Sequence, residues 1–219
     1  MRFDIKGNPS YGEVDVDLGP NETLLIEPGA MSRMSSNLNS SFQRQGGFFS
    51  AMFRKMFGGE NFFLGKYEHP DGGKLTFAPS MPGHVEHRQL TNNSLNIMAG
   101  GFLACTPGVN IKAKFGGLKA LFSGEGTFLL EASGSGDLFF NSFGGIVEKQ
   151  INGEFIVDTG HVVAFDPSLD YKITGMGSFK STMLSGEGLV MKFSGKGKLY
   201  LQTRNVSSIA SWLTPRLLG

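Results

Sequence analysis

Few residues in this 219-residue chain have the types and spacing that chemistry needs, and the densest group is His84-Val85-Glu86-His87. A zinc-binding pair at i and i+3 requires a helix or turn that points both rings the same way. After Pro82-Gly83 an extended segment is expected, which sends His84 and His87 to opposite faces. His69 and His161 fall in predicted turns and offer no fixed third ligand, so no metal site is expected. Cys105 closes the apolar run Phe102–Cys105 with no basic neighbour in sequence, which predicts a buried, inert thiol. Gly134-Ser135-Gly136 and Gly195-Lys196-Gly197 resemble phosphate loops, but such a loop must open a helix and here strands follow. Gly175 to Thr182 echoes a nucleotide loop, yet Phe179 stands where a glycine must precede Lys180. No serine lies in a nucleophile elbow. The expectation is a non-enzymatic protein with no catalytic residues and no cofactor.

Two other groups are candidates for binding. Glu60, Glu125 and Glu187 recur between glycines, and a threefold arrangement can bring three carboxylates near one axis to hold a cation. The plainer reading is that each accepts hydrogen bonds from the backbone of its own turn. Lys112, Lys114, Lys119, Lys192, Lys196 and Lys198 can form a basic strip beside Phe115 and Tyr200, as an RNA-binding sheet has. A formal net charge of +1 gives no global field for nucleic acid, which is set aside as a partner. The strongest interaction candidate is Gly47 to Gly58. There Phe48, Phe49, Met52, Phe53, Met56 and Phe57 fall on one helical stripe, with Arg54 and Lys55 off it. Such a helix caps the body, packs against a second copy, or docks on a protein or membrane surface.

The elements that carry these residues are predicted to be strands. Thirty-two glycines and 20 phenylalanines, with only 18% charged residues, fit an all-β protein of short strands and tight turns. Val14, Val16 and Leu18 alternate with Asp15 and Asp17. A strand–turn–strand pattern ending in an x-Pro turn appears at Leu95 to Pro107 and again at Phe155 to Pro167. A glycine-entered segment with an internal glycine turn reads as a hairpin at Gly186 to Gln202 and Gly124 to Phe140, through Gly-x-Gly, and at Gly58 to Phe77, through Asp71-Gly72-Gly73. These recurrences predict three pseudo-repeated β units, at about 12–92, 93–150 and 151–205, sharing one core. The expected result is a single 1–219 domain, sandwich-like or barrel-like, with a short helix inserted near 48–57. The tail 206–219 reads as a second short helix, bent or ended near Pro215. One cysteine, no apolar leader in Met1 to Lys6 and no transmembrane run predict a cytoplasmic protein.

Ile26-Glu27-Pro28-Gly29-Ala30-Met31, the Phe/Met-rich segment running into Gly58 to Phe63, Met81-Pro82-Gly83 and the closing Gly186 to Val190 with Leu199 to Asn205 follow a familiar order. In that order and spacing the chain resembles the bacterial and archaeal branch of the mitochondrial-biogenesis (altered inheritance of mitochondria) family, a domain of unknown function. The resemblance covers nearly the whole chain. It implies a fold like that of the tryptophan RNA-binding attenuation protein and a homo-oligomer, with a trimer ahead of other states. It implies no established reaction or cofactor. Mitochondrial members are linked to inner-membrane organisation, and this chain shows no transit peptide. The leading expectation is therefore a non-enzymatic oligomeric β-scaffold or adaptor, membrane- or complex-associated. The alternative is a small-ligand or RNA binding module that uses grooves between repeats.

Overall fold

The computed structural model describes residues 1–44, 63–115, 128–175 and 189–217. Its strands are β1 (Arg2–Lys6), β2 (Glu13–Leu18), β3 (Thr23–Ile26), β4 (Met31–Met34), β5 (Asn39–Arg44), β6 (Phe63–Glu68) and β7 (Gly73–Phe77). They continue as β8 (Val85–Met98), β9 (Phe102–Cys105), β10 (Val109–Phe115), β11 (Phe128–Asn141), β12 (Ile146–Asp158), β13 (Val162–Phe165), β14 (Leu169–Gly175) and β15 (Leu189–Gln202). A helix, α1 (Val206–Leu217), follows. The chain is mostly β. A four-stranded sheet has the order β1-β2-β7-β4. An eleven-stranded sheet runs β12-β15-β13-β8-β11-β9-β3-β6-β5, with β10 on β11 and β14 on β15. Neither sheet closes into the expected barrel, because β12 and β5 end the larger path and β1 and β4 the smaller.

The pairings repeat. β11 takes β8, β9 and β10 as antiparallel partners, and β15 takes β12, β13 and β14. Earlier in the chain two strands divide this work, β7 taking β2 and β4 while β6 takes β3 and β5. The short partner bulges each time, between Met31 and Arg33 on β4, opposite Phe139 and Phe140 for β9, and between Val162 and Ala164 on β13. One turn also occurs three times. Ser35, Thr106 and Asp166 each bond through the backbone N–H to the carbonyl of Lys74, Asp137 and Lys198, at 2.9, 3.0 and 2.9 Å. Their side-chain oxygens accept from the N–H of the same three residues, each at 2.9 Å.

None of the three predicted hairpins forms. β11 and β15 run unbroken through their glycines, and β6 and β7 lie in different sheets. The glycines serve close approach. Gly134 has φ +118°, and a Cβ there would fall on the carbonyl oxygen of Gly108. Gly195 has φ +116°, and its Cβ would sit 2.9 Å from the carbonyl oxygen of Ser168. The long strands continue beneath the turns at 106–109 and 166–169 rather than reversing. The buried apolar residues gather in three clusters. They centre on Val14, Leu24 and Phe77, on Leu95, Leu130 and Phe140, and on Phe165, Met191 and Phe193. Each borrows from its neighbour, as Val85 and Phe139 join the first cluster and Leu129 the third. β8 and β12 also run across the expected unit boundaries at 92–93 and 150–151.

The predicted C-terminal helix is present. Asn205 caps it by accepting from the Ser207 N–H at 2.9 Å. It continues past Pro215 to Leu217, two residues beyond the expected end, and buries no residue. A proline this near the C-terminus removes one backbone bond while only two residues follow it. No helix among the described residues is long and apolar enough to cross a membrane.

Candidate functional site

Most sequence-named candidates lie outside the described residues. Phe48, Phe49, Met52, Phe53, Arg54, Lys55, Met56 and Phe57 do so, with Glu60, Glu125 and Glu187. The histidines are described, and each is engaged separately. His84 Nε2 lies 3.2 Å from Glu86 Oε2 on its own face of the β8 start. His87, on the other face, lies 2.8 Å from Asp137 Oδ1 and packs on the rings of Phe3 and Phe139. His161 Nδ1 meets the Gln202 carbonyl, and His69 Nδ1 accepts from the Asp71 N–H. Among the described residues no three His, Cys, Asp or Glu side chains are placed to share a metal ion. Cys105 is fully buried, and burial pushes its thiol up to about 12. Two lysines of the predicted strip are paired, Lys114 with Glu131 at 2.7 Å and Lys198 with Glu148 at 2.8 Å.

Two strand edges are bare among the described residues. Among the described residues β4 pairs only with β7, and all four of its residues are exposed. Among the described residues β12 likewise pairs only with β15, over 13 residues. On β12 Ile151 and Val157 are buried, while Val147 is 50% and Ile156, on the other face, 56% exposed. On β4, Met31 and Met34 are each 38% exposed. α1 adds Val206, Ile209, Leu213 and Leu217, an i, i+3, i+7, i+11 stripe open to solvent. Its polar side holds Ser207, Ser208, Ser211 and Thr214, and Arg216 stacks on Trp212 at 4.2 Å.

Beside the β4 edge, a groove of about 690 Å³ crosses the small sheet, lined among others by Lys6, Asp15, Arg33, Met34 and Lys74. Its charges are matched. Asp15 accepts from Lys6, Arg33 and Thr76, which hold its carboxyl down to about 2. Arg33 also bonds Glu13 at 3.0 and 3.1 Å, and Lys74 lies 3.4 Å from Asp17. A smaller cavity of about 190 Å³ lies between the Gly100-Gly101 turn, Phe143 and Val162.

Two polar features were missed in the sequence. Glu27, in the Ile26 to Met31 turn, is half-buried, and its carboxyl has no hydrogen-bond or ion-pair partner among the described residues. Burial raises its carboxyl to about 7. Its flanking Pro28-Gly29 marks a turn, but nothing in the sequence signals desolvation. Asp166 caps its turn and also bonds Arg88 Nη1 at 2.8 Å, tying β8 to the last part of the chain. Its place before Pro167, matching Thr106 before Pro107, was the available signal.

The family described as mitochondrial biogenesis AIM24 matches residues 3–204. An uncharacterized protein of Streptococcus pyogenes serotype M6 is 31% identical over 222 residues, covering 97% of this chain and 90% of that protein. The X-ray crystal structure of a protein from Streptococcus pyogenes superposes with a TM-score of 0.81 at 29% identity, covering 98% of this chain and 99% of the other.

Proposed function

The chain belongs to the mitochondrial biogenesis AIM24 family, and on that footing we propose that it is a non-enzymatic, homo-oligomeric β-scaffold acting in the cytoplasm. Its body is three copies of one β unit, a reading supported by the thrice-repeated pairing and turn. The exposed apolar residues along the edges of β4 and β12 support self-association, because a bare strand edge is a template for another strand. α1 is the adaptor arm. A 12-residue helix with an uncovered apolar stripe is marginal in water and gains stability from a protein or membrane surface that covers it.

Light scattering of the purified protein at low micromolar concentration tests the assembly. A mass above one 23.6 kDa chain, three chains being the favoured state, is expected. A monomer would remove the scaffold reading. The groove of about 690 Å³ supports the alternative, a small-ligand module. A non-covalent ligand retained in native mass spectrometry on a monomeric protein would favour that alternative instead.

A further inference from the structure

Two junctions inside the chain show how one unit joins the next. β9 pairs with β3, Ala104 opposite Ile26 and Cys105 opposite Leu25. β13 pairs with β8, Ala164 opposite Ile97 and Phe165 opposite Asn96. In each case the short strand ahead of the repeated turn meets the end of a long-path strand in an earlier unit, in the same register. Thr106 and Asp166 open those turns, and Ser35 opens the third, so β4 is the counterpart of β9 and β13. On the other side, Ile26, Ile97 and Val157 pair with Gly65, Leu130 and Met191. Those three in turn pair with Phe42, Ala113 and Ile173, each four residues after Leu38, Val109 and Leu169. Val157 therefore occupies on β12 the place that Ile26 and Ile97 hold on β3 and β8.

The third junction would join β4 to β12, and among the described residues it is not made. We infer that it forms between copies of this chain, β4 of one protomer pairing antiparallel with β12 of its partner in the internal register, Arg33 opposite Val157 and Met34 opposite Ile156. This rests on the scaffold reading and specifies its interface. The chemistry of the two edges fits. Ser32 would face Asp158, so no like charges meet across the pair. Arg33 stands where the internal junctions have alanine, but its guanidinium is folded back onto Glu13 and Asp15 and does not enter the seam unpaired. The exposed Met34 and Ile156 side chains are brought together. Because β4 and β12 are different surfaces, the contact is head-to-tail and generates a closed ring or a filament.

A cross-chain disulfide tests the register. Directly opposed antiparallel residues have Cα atoms about 4.5–5.5 Å apart, within disulfide reach. Native Cys105 is fully buried and does not compete. The Met34→Cys/Ile156→Cys variant is expected to form covalent multimers on mild oxidation. The Met34→Cys/Val147→Cys variant, nine residues out of register, is expected to form none. In the wild type, amide exchange at Met34 and Ile156, whose N–H groups point into the seam, is expected to slow at least tenfold as protein concentration rises into the assembled range. Oligomers by light scattering with neither cross-link nor local protection would overturn the register while leaving the scaffold standing. A wild type monomeric at every concentration would overturn both.

Discussion

Glu27 is the residue where the physical chemistry is most exposed to test. Its carboxyl lies half-buried without a partner among the described residues, and its folded-state value of about 7 stands above the ordinary 4.5. The folded chain therefore holds this proton more tightly than the unfolded chain between those two values. Stability from this group is full below about pH 4.5, falls as pH rises towards 7 and is flat above. The cost above pH 7 is about 2 kcal/mol, below the full value of the shift because the side chain is not wholly desolvated. Urea melts of Glu27→Gln and wild type should coincide at pH 4, and at pH 8 the variant should be more stable by about that amount. Coincidence at both pH values would show that the carboxylate is solvated. Asp15, held low by Lys6 and Thr76, moves stability the opposite way at acid pH, but equally in both proteins.

At the scale of elements, the glycines divide into those that need space and those that need only a backbone angle. Gly153 and Gly195 face each other across β12 and β15 with φ +113° and +116°. A Cβ at Gly153 meets nothing within 4 Å, whereas at Gly195 it lies 2.9 Å from the Ser168 carbonyl oxygen. Gly153→Ala should cost about 1 kcal/mol, for the strained φ alone. Gly195→Ala should cost about 3 kcal/mol, since the turn at 166–169 must also move. Equal losses in chemical denaturation would mean that the turn yields freely. The same pair shows what was legible beforehand. Alternation located β2 within a residue because one-sided burial imprints itself on side-chain type, and apolar runs bounded by turn residues located β3, β9 and β13, the last two buried at every position. The Gly-x-Gly segments were read as reversals because a sequence marks a positive φ without saying what approaches the backbone there. Bare edges were invisible for a related reason. Val147 and Ile156 look like any other strand residues until β12 is seen to pair, among the described residues, with β15 alone.

For the whole molecule, the proposed seam between β4 and β12, edges left unpaired among the described residues, would make stability a property of the assembly. The internal junctions bury Ala104, Cys105, Ala164 and Phe165 completely. A chain held in a ring should gain the equivalent shielding at Met34 and Ile156, and lose it on dilution. Binding that favours the folded state raises apparent stability by mass action. For three chains, a tenfold rise in concentration contributes about 1 kcal/mol per chain, or about 2–4 °C in Tm for a chain of this length. Ile156→Lys places a charge in the proposed seam while leaving β12's buried residues untouched. Its Tm should match dilute wild type and stay constant across the same concentration range. Salt should matter little, since backbone hydrogen bonds and apolar contact, not exposed ion pairs, carry the seam. A wild-type Tm independent of concentration, or an Ile156→Lys variant that keeps the dependence, would place the association elsewhere than on β12.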